Sequence, residues 1–362
     1  VSRPKDAIAR ALALQIEIGA MPAAQWWVGG PEGPISRGAQ GVATREPSPV
    51  PATESTPFDL ASLTKPLVTT LLATMLERDN RLALSATLGA TFPQLRDTPY
   101  GAATLRDAAY HRAGLPAWSP LYLEGATRED YLASIAALAP AGPPGATVYS
   151  DLGYLLLGFA VERAGGAALD RLVEERVARP LGLPRFGFPG RSGRYRDAAA
   201  TERGNAYERR LAGATAPRAP FRAELIRGSV HDGNAWGLGG IAGHAGAFGT
   251  AEEVARIALA LLEPPRIGRP RGSFDAMLGP SDTGGRTLGF LAAARTESVR
   301  GVLGDDAVGH FGFTGTSVWI EARAQRVYVL LTNRVHPEVP DADFVGTRRA
   351  FHAAAAAPHA AS

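Results

Sequence analysis

A chain of 362 residues is longer than one ordinary hydrophobic core accommodates, so two domains are expected. Its 45% hydrophobic content fits a soluble globular fold, and no apolar run approaches the roughly 18 residues of a membrane-spanning helix. The net charge of +3, with both signs interspersed, argues against a nucleic-acid partner, and the lack of cysteine excludes disulfides, thiolate metal sites and a cysteine nucleophile.

The first stretch, residues 4–20, repeats Ile8, Leu12 and Ile16 at helical spacing opposite Asp6, Arg10 and Glu17. Acidic residues interrupt it, so it does not read as a signal peptide, and the compartment stays open. Gln25–Val28 and Ser36–Thr44 read as two strands around a Gly/Pro turn, followed by a proline-rich loop over 45–57. Leu60, Leu63, Leu67, Leu71, Met75 and Leu76 then form a helical stripe. Pro66 is tolerable only in a first turn, which puts Ser62 at the helix start. Helices are expected near 104–111, 127–138, 151–164 and 167–178, and residues 190–235 as an irregular, lid-like surface excursion. Thr250-Ala251-Glu252-Glu253 opens a further helix with a capping box. Strands are expected near 287–296, 300–303, 313–321 and 326–333, with a closing helix over 341–356. Strands at both ends and helices between them predict an α+β fold: an antiparallel sheet flanked by helices, built from both termini, with an inserted mainly helical domain. The expected division is 1–80 and 285–362 for the α/β domain and 81–284 for the helical domain with pocket loops.

Within this layout Ser62 and Lys65 lie one helical turn apart on one face. A serine hydroxyl becomes a nucleophile when a neighbour takes its proton, and a lysine of lowered pKa can do that. Only Lys5 and Lys65 are lysines; the other 36 basic residues are arginine, which cannot give up its proton. A scarce lysine beside a serine therefore suggests a task that arginine could not perform. Two further stretches carry candidate chemistry. Tyr149-Ser150-Asp151 offers a phenol that shuttles protons beside a cation. Gly309-His310-Phe311-Gly312-Phe313-Thr314-Gly315 offers small residues and backbone N–H groups along a strand edge.

Taken together, Ser-x-x-Lys, Tyr-Ser-Asp and a late His-x-Gly resemble the serine β-lactamase and penicillin-binding-protein superfamily, in its branch of class C β-lactamases, DD-carboxypeptidases and esterases. The likeness extends through Leu105–Pro116, Gly153–Gly158, Arg179–Leu183, Val230–Gly246 and Leu331–Pro337, from about residue 58 to 337. It implies the β-lactamase/transpeptidase-like fold and a hydrolase that forms an acyl-enzyme at Ser62. Lys65 and Tyr149 relay its proton, either one being the base. By the same likeness, the backbone N–H groups of Ser62 and Phe313 would form the oxyanion hole. Asp151, His310, Phe311, Gly312 and Trp118 would support or line the substrate site.

Three departures from the family pattern stand out. Asp151 replaces a common asparagine and would favour a charged Lys65. His310 replaces a common lysine, with partial charge expected near neutral pH. Phe311 replaces a hydroxyl residue that helps to anchor a substrate carboxylate. An uncharged ester or amide with an apolar acyl group is therefore expected over a β-lactam or a D-alanyl-D-alanine peptide. The rival readings are a β-lactamase or DD-carboxypeptidase, and an acylable sensor module with little turnover. No cofactor and no metal are expected. Gly237-Leu238-Gly239-Gly240-Ile241-Ala242 lacks the preceding strand of a dinucleotide site, and His231, Asp232 and His244 have no metal-ligand spacing. The absence of Gly-x-Ser-x-Gly disfavours an α/β-hydrolase.

Overall fold

The computed structural model describes residues 4–143, 145–190, 195–213 and 221–357. Pro144, in the expected loop before Tyr149, and parts of the 190–235 excursion lie outside the described residues.

Both ends of the chain build one sheet. Strands β1 (Ala23–Gly30), β2 (Gly33–Thr44) and β3 (Val50–Pro51) come from the N-terminal part. After the short strands β4 (Phe58–Asp59), β5 (Ala200–Arg203), β6 (Leu225–Arg227) and β7 (Phe248–Gly249), the sheet is completed by β8 (Leu291–Ala292), β9 (Val308–Phe311), β10 (Ser317–Glu321) and β11 (Arg326–Thr332). The order is β3-β2-β1-β11-β10-β9-β8, all antiparallel. The two halves join where β1 pairs with β11, Trp27 opposite Val329. Asn333 pins this seam, its Oδ1 accepting from the Ala23 N–H at 2.9 Å and its Nδ2 donating to the Ala43 carbonyl at 3.1 Å.

Because side chains alternate across a strand, each face of this sheet has its own core. Ala24, Trp26, Val28, Trp319, Tyr328 and Leu330 point to one side, where helices Pro4–Glu17 and Val345–Ala356 cover them. Ala23, Trp27, Val318, Ile320, Val329 and Leu331 point to the other, against helix Ala251–Leu262 and the larger core shared with the helical region. Burial on both faces explains why β1 and β11 read as continuous apolar runs. In the helical region, Asp151–Gly165 is buried from Leu152 through Val161. Ser150 caps its start by accepting from the Gly153 N–H, and Gly166 ends it at φ 71°. The capping box at Thr250 and Glu253 forms as expected.

Some expected elements differ. Of the strand expected over 287–296 only β8 forms, followed by a 3₁₀ turn, and 300–303 is a turn. These stretches carry Gly289 and Gly301, both at positive φ. The strand expected from 313 starts at Ser317, while His310 and Phe311 belong to the separate strand β9. The 190–235 stretch, expected to be irregular, holds β5, β6 and helices Ala206–Ala212 and Gly233–Gly237. These short elements carry too few residues to show a period.

His352, on the closing helix, is fully buried among Trp319, Tyr328 and Phe351, and neither ring nitrogen has a hydrogen-bond partner among the described residues. Burial, then the charge of Arg348, pushes its pKa down to about 3. Below the unfolded value of about 6.5, the unfolded chain takes up a proton that the native chain refuses. Stability is therefore lost as pH falls from about 6.5 toward 3, by up to about 1.4 kcal/mol per pH unit. His352→Leu should raise the melting temperature, and by more at pH 5 than at pH 7. An equal gain at both pH values in thermal unfolding would contradict this account.

Candidate active site

The site is built where β4 hands the chain to the Ser62 turn. Asp59 is buried; its Oδ1 accepts from the Ala61 N–H at 2.9 Å and its Oδ2 from the His231 N–H at 2.7 Å. Thr314 Oγ1 donates to the Asp59 carbonyl and Thr316 Oγ1 to the Leu60 carbonyl. These bonds fix the Ser62 turn against the β9–β10 turn that carries Phe313. Ala61 sits at φ 47°, a strained value for a residue with a side chain, held by this network.

Ser62 does not open a regular α-helix. It lies in a 3₁₀ turn, Ala61–Leu63, followed by the π-helical segment Lys65–Thr70 and then helix Leu71–Arg78. Pro66, at the start of the wide segment, disturbs no regular ladder there. Such bulges recur at functional sites.

Lys65 is fully buried. Its Nζ lies 2.8 Å from Ser62 Oγ, 2.7 Å from Asp151 Oδ1 and 3.1 Å from the His244 carbonyl. The Tyr149 ring centroid is 5.0 Å from the same nitrogen. Burial by itself would lower the Lys65 pKa, but the Asp151 carboxylate, and after it Tyr149, outweigh burial and raise it. Lys65 is thus held as an ammonium against a serine oxygen, a carboxylate and a carbonyl, beside Tyr149.

Tyr149 is set by the loop that precedes helix Asp151–Gly165. His111 Nδ1 accepts from the Ser150 N–H at 2.9 Å, and the His111 carbonyl accepts from the Val148 N–H at 2.9 Å. The His111 ring lies 4.5 Å from the Tyr149 ring and 5.2 Å from that of Tyr154. Burial, with the charges of Arg286 and Lys65, keeps the His111 pKa well below the usual range, so the imidazole is neutral with its proton on Nε2. The Asp151 N–H donates to the Ala117 carbonyl at 2.8 Å, which ties the carboxylate segment to the loop bearing Trp118.

On the opposite wall, His310 Nδ1 donates to the Phe311 carbonyl at 2.8 Å, and its Nε2 has no partner among the described residues. Burial first, then Lys65 and Arg286, push its pKa down to about 3. The partial charge expected from sequence is therefore absent: near neutral pH His310 is an uncharged imidazole, 6.0 Å ring to ring from Tyr149. Phe313 lies in the turn after β9, not on a strand, and its N–H makes no hydrogen bond among the described residues. A Cβ at Gly312 would overlap Thr316 Oγ1 and the Leu60 carbonyl, so only glycine lets this turn approach the Ser62 turn so closely.

Ser62, Tyr149, Asp151, His310, Phe311, Gly312, Phe313 and Trp118 all line one cavity of about 480 Å³, with Lys65 beneath its floor. Other lining residues carried no signal in the sequence. Arg334, after β11, and Arg348, on the closing helix, reach the cavity from distant positions. Neither makes an ion pair among the described residues, and each has a buried Nε without a hydrogen-bond partner. Burial and the neighbouring charge of Arg334 push the Arg348 pKa down to about 9. Tyr207 and Glu208 enter from the 190–235 stretch. His231 pairs with Glu202 at 2.9 Å and His244 with Asp232 at 2.8 Å; among the described residues no group of three metal-ligating side chains is assembled.

Comparison with known proteins gives a consistent picture. The family model described as Beta-lactamase matches residues 8–350. The Escherichia coli (strain K12) protein named "Putative D-alanyl-D-alanine carboxypeptidase" is 32% identical over 321 residues, covering 81% of this chain and 72% of that protein. Among solved structures, "EstCE1, a hydrolase with promiscuous acyltransferase activity" superposes with a TM-score of 0.74 at 19% identity, over 98% of both chains. A class C beta lactamase from Rhodobacter sphaeroides gives 0.73 at 20% identity, over 96% of this chain and 98% of that one.

Proposed function

Because the chain belongs to the Beta-lactamase family of serine hydrolases, we propose that it cleaves an ester or amide through an acyl-enzyme on Ser62, with Tyr149 as proton acceptor and Lys65 as a fixed cation. The observation that carries this reading is the burial of Lys65 between Ser62 Oγ and the Asp151 carboxylate, at 2.8 and 2.7 Å. An ammonium so held cannot take the serine proton. It does stabilise negative charge on Oγ and on a nearby phenolate. Ser62 Oγ attacks the carbonyl carbon as its proton passes to the phenolate form of Tyr149, the form that the Lys65 ammonium stabilises. The carbonyl oxygen gains charge between the Ser62 and Phe313 N–H groups, donors worth roughly 3–4 kcal/mol each. Tyr149 then protonates the leaving group as its bond to the acyl carbon breaks. Water, losing a proton to the same phenolate, attacks the ester carbonyl, and Tyr149 returns that proton to Ser62 Oγ as the acyl bond breaks and the acid leaves.

Trp118, Leu211, Phe311 and Phe313 make the cavity wall largely apolar, which suits an apolar acyl group. A second reading has its own observation: Arg334 and Arg348 line the cavity without a carboxylate partner among the described residues, and a leaving group ending in a carboxylate would supply one. The neutral His310 does not replace them as a charge.

A substrate panel tests the assignment. Short acyl p-nitrophenyl esters should turn over with kcat/KM at least about tenfold above a chromogenic cephalosporin, a difference of about 1.4 kcal/mol. Fast turnover of the cephalosporin, or of a peptide ending in D-alanyl-D-alanine, with poor ester turnover would reverse the order. An acyl adduct that persists in intact-mass spectra after substrate is exhausted would replace hydrolysis by sensing.

A further inference from the structure

The turn that carries Phe313 runs from Gly312 to Thr316, between β9 and β10. Backbone bonds close it. The Gly312 N–H donates to the Thr316 carbonyl at 2.8 Å, and the Gly315 N–H donates to the Gly312 carbonyl at 3.0 Å. The Thr314 carbonyl accepts from Thr332 Oγ1 at 2.8 Å and from the Arg334 N–H at 3.1 Å. One side chain reaches this turn from the closing helix. Arg348 Nη2 donates to the Gly312 carbonyl at 2.9 Å and approaches the Thr316 carbonyl at 3.4 Å, so it bridges the two ends of the turn. Its guanidinium carbon lies 4.3 Å from the Phe311 ring centroid and 5.4 Å from that of Phe344, at the start of the same helix. These two rings fix the plane of the guanidinium. Among the described residues no carboxylate makes an ion pair with Arg348.

The Gly312 carbonyl and the Phe313 N–H belong to one peptide unit. Among the described residues the cis peptides lie elsewhere, at Glu46-Pro47 and His336-Pro337, so this unit is trans and its C=O and N–H point in opposite directions. A cation on the carbonyl oxygen draws electron density from the nitrogen through amide resonance, and the N–H becomes a stronger donor. The same bond fixes the plane of the unit and so the direction of the N–H. That N–H makes no hydrogen bond among the described residues, while the turn lies close against Leu60 and Ala61 of the Ser62 turn.

We propose that Arg348 is a positioning residue for the oxyanion hole: it holds and polarises the Gly312–Phe313 peptide, so that the Phe313 N–H meets the charge developing on the substrate carbonyl oxygen. The assignment rests on the Ser62 acyl-enzyme reading and deepens it. The Arg348 bond is charge-assisted and in place before substrate arrives, which is the condition for such a donor to favour the transition state. It acts on uncharged substrates as well, because it needs no carboxylate on the leaving group.

The test compares wild type with Arg348→Lys, Arg348→Gln and Arg348→Met on a neutral acyl p-nitrophenyl ester. Acylation and deacylation both place charge on the same carbonyl oxygen, so kcat reports on the hole whichever step is slower. Arg348→Met should lower kcat by about tenfold to a hundredfold, with KM within about threefold of wild type. The loss stays below that of a deleted donor because the Phe313 N–H remains. Arg348→Lys, which keeps the charge, should be faster than Arg348→Gln, which keeps a donor without charge. Infrared difference spectra of the acyl-enzyme, formed with a carbonyl-labelled ester, should show the ester C=O stretch at higher frequency in Arg348→Met than in wild type. An unchanged kcat and C=O frequency in Arg348→Met, a loss confined to KM, or equal losses in the Lys and Gln variants overturns the assignment. Should Arg348→Met not fold, the order of Lys over Gln decides. Absence of fluorophosphonate labelling of Ser62 in the wild type overturns the acyl-enzyme reading beneath it instead.

Discussion

Ser62→Ala should lower kcat/KM for every ester that the protein hydrolyses by on the order of 10⁴-fold or more, with little change in melting temperature or in ligand affinity. Ser62 is partly exposed in the cavity, and among the described residues its Oγ accepts from one group, Lys65 Nζ. Removing the oxygen leaves Lys65 with Asp151 and the His244 carbonyl, so the fold keeps its buried ion pair. What disappears is the atom proposed to form the acyl bond, and neither Tyr149 nor the backbone donors can replace it. Steady-state kinetics on the best ester, alongside thermal unfolding, checks both halves of this expectation. Retained hydrolysis above about 10% would move the nucleophile elsewhere, since a lost covalent step cannot cost so little.

Lys65→Arg should cost at least about 10²-fold in kcat, although it preserves the charge. Three contacts at 2.7 to 3.1 Å surround the compact ammonium of a fully buried side chain. A planar guanidinium cannot address a hydroxyl, a carboxylate and a carbonyl from one nitrogen, and its added volume must displace Ser62 or Tyr149. Asp151→Asn separates the two possible roles of Lys65. With the carboxylate gone, burial is no longer outweighed and the Lys65 pKa falls. If Lys65 acts as a fixed cation, the alkaline limb of the pH–rate profile moves to lower pH and the neutral-pH rate drops. A faster Asp151→Asn enzyme at neutral pH would make Lys65 the base. The same change removes one partner of a buried pair, a loss of about 3 kcal/mol or more in stability.

Part of the candidate site was legible because its signals are local or chemically rare. Ser62 and Lys65 are three residues apart, and Lys65 is one of two lysines. The sheet was legible because β1, β10 and β11 carry strong apolar patterning. Other features depend on approaches between distant segments. Nothing near Arg348 or Arg334 in sequence indicates that both reach the cavity, 286 and 272 positions beyond Ser62. The neutral state of His310 comes from burial beside Lys65 and Arg286, which the order of residues does not display. Glu208 lay in a stretch whose short helix and strands show no period, so its arrival at the pocket wall could not be read. The regular helix expected at Ser62 gives way to 3₁₀ and π-helical segments, a local geometry set by the bonds from Asp59, Thr314 and Thr316.

Ser62 should be the residue that carries the acyl group in a covalent intermediate. The most direct measurement treats wild type and Ser62→Ala with a fluorophosphonate and maps the added mass by peptide sequencing. One equivalent on the peptide containing Phe58-Asp59-Leu60-Ala61-Ser62-Leu63-Thr64-Lys65, assigned to Ser62 and absent from the variant, is the result expected. Stoichiometric labelling of another serine, or equal labelling of Ser62→Ala, would contradict it.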